Sequence, residues 1–263
     1  MYQNIFLDIK KMKMHLWDDT KGHLEIPFRK YAYVKHPSGQ HVSLYGDRLK
    51  KVTQFDKDDP TLHESDVPPT TRFLVDQYGD SDEASIGHRI MFFDIEVEVT
   101  EGFPDVQKAQ NPITSIALYD STTEKYFTYV FDPNKRLKSY TKDDQVVEIY
   151  ETEYEMLNQF FQKYLEIRPT IISGWNSEFF DIPYLYNRAV RVLGPEVANL
   201  LSPISQVLYS EYKKKHTIAG VSSLDYLQLY RQFTFGQKSS YRLDYIGEVE
   251  VGMKKVDYEG TLN

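Results

Sequence analysis

The chain has 263 residues, 41% hydrophobic and 14% aromatic, with a formal net charge of −8. That length supports one large domain or two modest ones, each with a real core, and the acidic balance excludes a protein that coats duplex DNA electrostatically. Zero cysteines exclude disulfides and thiolate-bound zinc, and with no apolar run of membrane-spanning length and no visible signal peptide the chain reads as cytosolic.

Residues 1–87 read as a small β-rich domain. Short apolar stretches at 4–7, 31–34 and 42–45 are broken by turn-formers at Gly22, Pro37-Ser38-Gly39 and Gly46-Asp47. Residues 56–69 are polar and acidic with three prolines, as in a loop. Residues 76–87 are acidic and carry Gly and Ser, which marks a domain boundary before residue 88.

The pattern changes in 88–263. Residues 91–99 read as a strand, and 113–119 and 126–131 as two more, joined by short turns that imply antiparallel pairing. Residues 151–168 read as a helix, with Tyr154, Leu157, Phe160, Phe161, Tyr164 and Leu165 at spacings of three and four. Thr152 and Glu155 stand at capping-box spacing, and Pro169 ends the helix. Residues 170–175 form another strand. Three strands, a helix and a strand are the opening order of the α/β, ribonuclease H-like fold, a mixed sheet with flanking helices.

Two groups of acids stand out. Asp94 and Glu96 lie at i and i+2 on a strand, so both side chains project to one face of a segment otherwise apolar enough to be buried. Buried like charges resist ionising unless a cation sits between them, and a divalent metal is the usual remedy. Glu98 shares their parity, which suits the alternative of a solvated face. Asp181 follows the strand 170–175 near a strand-to-helix junction, with Pro183 placed for the first turn of a helix that Gly194-Pro195 ends. Asp181 either caps that helix or reaches the Asp94/Glu96 face.

These residues carry a resemblance. Phe93-Asp94-Ile95-Glu96 with Glu101-Gly102-Phe103-Pro104, then Gly174-Trp175-Asn176 through Phe180-Asp181-Ile182-Pro183-Tyr184, resembles the first two exonuclease motifs of family B DNA polymerases. The likeness extends to the replicative polymerases of large myovirus-type tailed phages. Ser223-Leu224-Asp225-Tyr226, residues 240–246 and, in the first unit, Leu44-Tyr45-Gly46-Asp47 resemble that branch too.

The resemblance implies an N-terminal domain (1–87) and a 3′→5′ proofreading exonuclease domain (88–263) that uses two Mg2+ or Mn2+ ions. Asp94, Glu96 and Asp181 would be catalytic metal ligands. Phe103, Asn176 and Phe180 would contact substrate, with Phe103 against the unpaired 3′ end. The implied partners are the 3′ end of single-stranded DNA, primer-template DNA, and the remaining polymerase polypeptide with its palm, fingers and thumb. RNA is a further partner for the first domain, no membrane is involved, and the setting is the cytoplasm of an infected bacterial host. Residues 208–217 read as a hairpin with a basic tip, Lys213-Lys214-Lys215, placed where the family has a hairpin that helps separate primer from template.

The family's third exonuclease motif, Tyr-x-x-x-Asp, is expected beyond Leu243-Asp244-Tyr245, and the sequence stops at 261–263 before it. The same spacing at Tyr78/Asp82 and Tyr140/Asp144 is in the wrong order and is rejected. The 263 residues are therefore expected to be weakly active or inactive alone, as a fragment or as one half of a split polymerase. The alternatives are a non-catalytic nucleic-acid-binding module and a free-standing exonuclease.

Overall fold

The computed structural model describes residues 1–100, 102–254 and 256. Glu101 of the first motif and the terminal residues 261–263 lie outside the described residues. The chain divides into two compact units, Met1–Gly87 and His88–Asn263.

The first unit contains two antiparallel sheets and a helix. Strands β1 (Tyr2–Asp8), β2 (Lys13–Asp18) and β3 (Gly22–Pro27) pair in that order. Strands β4 (Ala32–Lys35), β5 (His41–Val42), β6 (Arg48–Val52) and β7 (Leu62–His63) pair in the order β5-β6-β4-β7. Helix α1 spans Pro69–Tyr78, with proline at its first turn. The expected strand at 42–45 stops at Val42, because Ser43 and Asp47 close a turn that leaves Leu44 and Tyr45 exposed. The expected loop at 56–69 contains β7.

Asp18 closes the β2–β3 turn. Its Oδ1 accepts the N–H groups of Thr20 and Lys21 at 3.0 and 2.9 Å, and its Oδ2 accepts the hydroxyl of Tyr78 from α1 at 2.9 Å.

The second unit is built on a seven-stranded mixed sheet. Its strands are β8 (Ile90–Val97), β9 (Ile113–Asp120), β10 (Lys125–Phe131), β11 (Tyr140–Lys142), β12 (Gln145–Tyr150), β13 (Ile171–Gly174) and β16 (Ser222–Asp225), after the hairpin β14 (Val207–Ser210) and β15 (Lys215–Ile218). The spatial order is β11-β12-β10-β9-β8-β13-β16. Strands β8, β9 and β10 run antiparallel, whereas β12 joins β10, and β13 joins both β8 and β16, in parallel. The helices are α2 (Glu153–Ile167), α3 (Asp181–Val192), α4 (Pro195–Ala198), α5 (Tyr226–Phe233) and α6 (Leu243–Val251). This is the mixed sheet with flanking helices expected of a ribonuclease H-like fold, preceded by a β-rich part.

The expected order of three strands, a helix and a strand lacked β11 and β12. They lie at one end of the sheet, where residues 140–149 are exposed or half-buried and carry four charged or amide side chains in a row, Lys142 to Gln145, and a further one at Glu148. Such a segment has little of the apolar signal by which strands are read.

One face of the sheet holds the core. Met91, Phe93, Ile95 and Val97 of β8 and Ile116 and Leu118 of β9 pack in one cluster with Met156, Leu157, Phe160, Phe161 and Tyr164 of α2 and Ile182 and Leu185 of α3. Tyr154 and Leu165, which the helical spacing assigned to that face, are exposed. Thr152 caps α2: its Oγ1 accepts the N–H of Glu155 at 3.2 Å and its hydroxyl donates to the Glu155 carboxylate at 2.9 Å. Among the described residues, no helix is long and apolar enough to cross a membrane.

Candidate active site

The strand β8 alternates strictly. Met91, Phe93, Ile95 and Val97 are buried, while Phe92 and Asp94 are exposed and Glu96 is half-buried. Asp94 and Glu96 therefore share the face opposite the core, as their parity requires. The expectation that both acids are buried is corrected here: α2 and α3 cover only the other face, so Asp94 looks into the open.

The buried acid is Asp181. It is 3% exposed and is the first residue of α3, with Phe180 in the capping position and no side-chain capping bond. The N-cap alternative for Asp181 is thus not what the chain does. Its Oδ1 instead accepts the N–H of Ile95 at 3.1 Å, across 86 residues of sequence. Ile95 sits between Asp94 and Glu96, so this bond ties the second acidic motif to the middle of the first.

Burial, then the charge of Asp94, pushes the Asp181 carboxyl up to about 7, although the Ile95 N–H opposes the shift, and the charge of Asp225 adds to it. No ion pair with Asp181 occurs among the described residues. A hard divalent cation beside Asp94 and Asp181 would supply the missing positive charge, and carboxylate oxygens are its preferred donors. The donor chemistry fits in kind. The fit is that of a pair, because among the described residues no group of three or more His, Cys, Asp or Glu side chains stands placed to hold a metal ion.

The segment between β13 and α3 sets this geometry. A Cβ on Gly174 would lie 2.6 Å from the carbonyl oxygen of Phe93, so only glycine lets β13 pass β8 this closely. Asn176 has φ of +65°, in the left-handed region, and its carbonyl accepts the N–H groups of Phe179 and Phe180 at 3.2 and 3.1 Å. The chain is thereby wound into a turn that feeds directly into α3.

The aromatic residues of the two motifs meet. Phe103 is 81% exposed, and its ring centroid lies 5.2 Å from that of Phe180. The hairpin β14–β15 is formed as expected; Lys215, the first residue of β15, bonds Glu178 of the turn before α3 at 2.9 Å, while Lys214 at the tip pairs with Glu211 at 2.8 Å. On the open side of the sheet, a hollow of about 420 Å³ is lined by Phe92, Asp94, Tyr119, Trp175, Tyr226 and Leu243, among others.

Asp225 went without a role in the sequence. It ends β16 and is 3% exposed, and its carboxylate accepts the N–H groups of Asn176, Glu178 and Leu227. The signal that could have marked it is an Asp directly before a helical apolar run, an N-cap signature. Its grip on the Asn176 turn is tertiary and has no local signature.

Residues 78–246 match the family described as "DNA polymerase family B, exonuclease domain". The DNA-directed DNA polymerase of Escherichia phage RB69 is 33% identical over 204 residues, covering 66% of this chain and 22% of that protein. That of Enterobacteria phage T4 is 33% identical over 198 residues, covering 64% and 22%. DNA polymerase 1 of Saccharolobus solfataricus is 32% identical over 231 residues, covering 83% and 23%. The chain thus spans less than a quarter of the length of these curated relatives.

Proposed function

The chain belongs to the exonuclease domain family of family B DNA polymerases, and from that premise we propose that it is the N-terminal and proofreading part of a phage replicative DNA polymerase. Residues 1–87 are the N-terminal domain in this reading, and 88–263 the 3′→5′ exonuclease domain. The reaction is hydrolysis of the terminal phosphodiester at the 3′ end of single-stranded DNA. One observation carries the reading: Asp181 is bonded to the N–H of Ile95, between Asp94 and Glu96.

Family B exonuclease domains generally use divalent metals. Here Asp94 and Asp181 are the pair that would hold a divalent ion. Glu96, on the same face of β8 as Asp94, is the proposed third ligand of a complete two-ion Mg2+ or Mn2+ site, whose chemistry would be to activate water and steady the leaving 3′ oxygen. Asp94, on the open face, is placed to hold a cation that the incoming phosphate would meet. Asp181 is held in place by the N–H of Ile95, which offsets part of the cost of burying its charge and leaves the rest to a cation. Phe103 and Phe180 form an aromatic step on which an unpaired terminal base stacks, a contact worth about 1–3 kcal/mol and indifferent to base identity. Asn176 lines the same channel from its left-handed turn.

The partners in this reading are a single-stranded 3′ end, primer-template DNA, RNA at the first domain, and the remaining polymerase polypeptide, all in the cytoplasm of the infected host. Because no three-acid group forms among the described residues, we expect the 263 residues alone to cleave weakly or not at all. That same observation favours a second reading, a non-catalytic nucleic-acid-binding module or subunit of a split polymerase. The test is manganese-dependent cleavage of 3′-labelled single-stranded DNA, with and without the remaining polymerase polypeptide, and with Asp94→Ala as control. Cleavage that depends on that polypeptide and is abolished by Asp94→Ala supports the first reading. Binding without cleavage in both cases supports the second and sinks the first.

A further inference from the structure

Asp225 makes a set of bonds that a helix cap alone does not require. Its Oδ1 accepts the N–H of Leu227 at 2.9 Å, which caps α5, and also the N–H of Asn176 at 3.0 Å. Its Oδ2 accepts the N–H of Glu178 at 3.1 Å. The last two donors belong to the turn that leads into Asp181, some fifty residues earlier in the chain.

That turn has little else to define its start. Its carbonyls are used inward, with Asn176 accepting from Phe179 and Phe180, and Ser177 from Ile182 at 2.9 Å. Its first N–H groups face away from any intrahelical partner, as at every helix start. A buried carboxylate taking two of them does for this turn what an N-cap does for a helix, but from a neighbouring strand. The parallel register places it there, since Gly174 pairs with Asp225 as β13 runs beside β16.

We infer that Asp225 is a positioning residue for the acidic pair, capping both α5 and the Asn176–Phe180 turn so that Asp181 meets the N–H of Ile95. The inference rests on the proposed exonuclease site, and its geometric half can be tested apart from it. It holds backbone donors while its charge also bears on Asp181, so one change that removes the charge at constant shape and one that keeps the charge but moves the oxygens separate the possibilities. In Asp225→Asn, the amide oxygen can keep the cap on Leu227, but an NH2 group then opposes the N–H of Glu178. In Asp225→Glu, the charge is kept while one added methylene displaces both oxygens.

The experiment uses the full 263-residue chain, with 15N–1H spectra without metal and a Mn2+ titration by calorimetry. Both variants are expected to fold by circular dichroism, to shift the Ile95 amide resonance and speed its hydrogen exchange, and to bind Mn2+ about 10–100-fold more weakly, the usual cost of losing an outer-shell support. Asp181→Ala serves as the reference. If it leaves Mn2+ binding unchanged while the Asp225 variants move Ile95, the positioning role stands and the metal reading falls. An Ile95 amide that stays put in Asp225→Asn overturns the inference. So does wild-type behaviour of Asp225→Glu, which would make the role electrostatic, and so does loss of fold in Asp225→Asn, which would make Asp225 a general determinant of folding.

Discussion

Asp181 illustrates how a single residue can be read in two ways until its surroundings are known. In sequence it stands at a helix start, where an aspartate ordinarily caps; in the structure it turns from that task to a backbone N–H on another strand. The electrostatic consequence can be measured. Burial and the charge of Asp94 raise its folded-state pKa to about 7, above the usual carboxylate value. For an acid raised on folding, stability falls as pH rises from the unfolded-state pKa toward the folded-state one, and stays low above it. Asp181→Asn keeps an acceptor for Ile95 but has no charge to bury. In EDTA, the variant should therefore be more stable than the parent near about pH 8, by on the order of 3 kcal/mol, and nearly equal to it near about pH 4. Thermal unfolding at the two pH values checks this, and a variant no more stable at either would show that Asp181 carries little burial penalty.

At the level of elements, α2 and α3 are joined to the sheet by one buried ion pair. Arg188 of α3 donates through Nε and Nη2 to the two carboxylate oxygens of Glu153 of α2, at 2.9 and 2.6 Å, and Glu153 also accepts the N–H of Ile113 on β9 at 2.8 Å. The same guanidinium donates to the carbonyl of Gln110 at 2.6 Å. Arg188→Met would strand the Glu153 carboxylate in the core, at a cost of about 3–5 kcal/mol in urea-induced unfolding. The double variant with Glu153→Gln should recover part of that loss.

The same elements show what was legible beforehand. The helix α2 was readable because its cap, its apolar spacing and its terminating Pro169 all agree locally. The parity of Asp94 and Glu96 was readable because strand alternation is local too. The wetness of their face was not, since that depends on which side the helices cover. Nor was the bond from Ile95 to Asp181, which joins residues 86 apart through strand order. Short strands such as β6, Arg-Leu-Lys-Lys-Val, were missed because their charged face outweighs one buried leucine, Leu49.

On the scale of the whole molecule, the chain carries one tryptophan in each compact unit. Trp17 stacks on His23 at 4.7 Å between ring centroids in the first, and Trp175 donates its ring N–H to the Tyr241 carbonyl at 3.0 Å in the second. Compact units with separate cores need not unfold together. Trp17→Phe and Trp175→Phe each leave one tryptophan to excite selectively, and we expect their denaturant midpoints to differ. Coincident midpoints and slopes would show a single cooperative unit.

Ile95 has a side chain in the core and an N–H on Asp181. It is thus a two-sided residue: whatever packs against its side chain is felt by the carboxylate that its N–H holds. Under the proposed function, the core packed against β8 would then help set the geometry of the acidic site. Substitutions in that core that leave every acid of the site in place would act on Asp181 by moving one backbone amide.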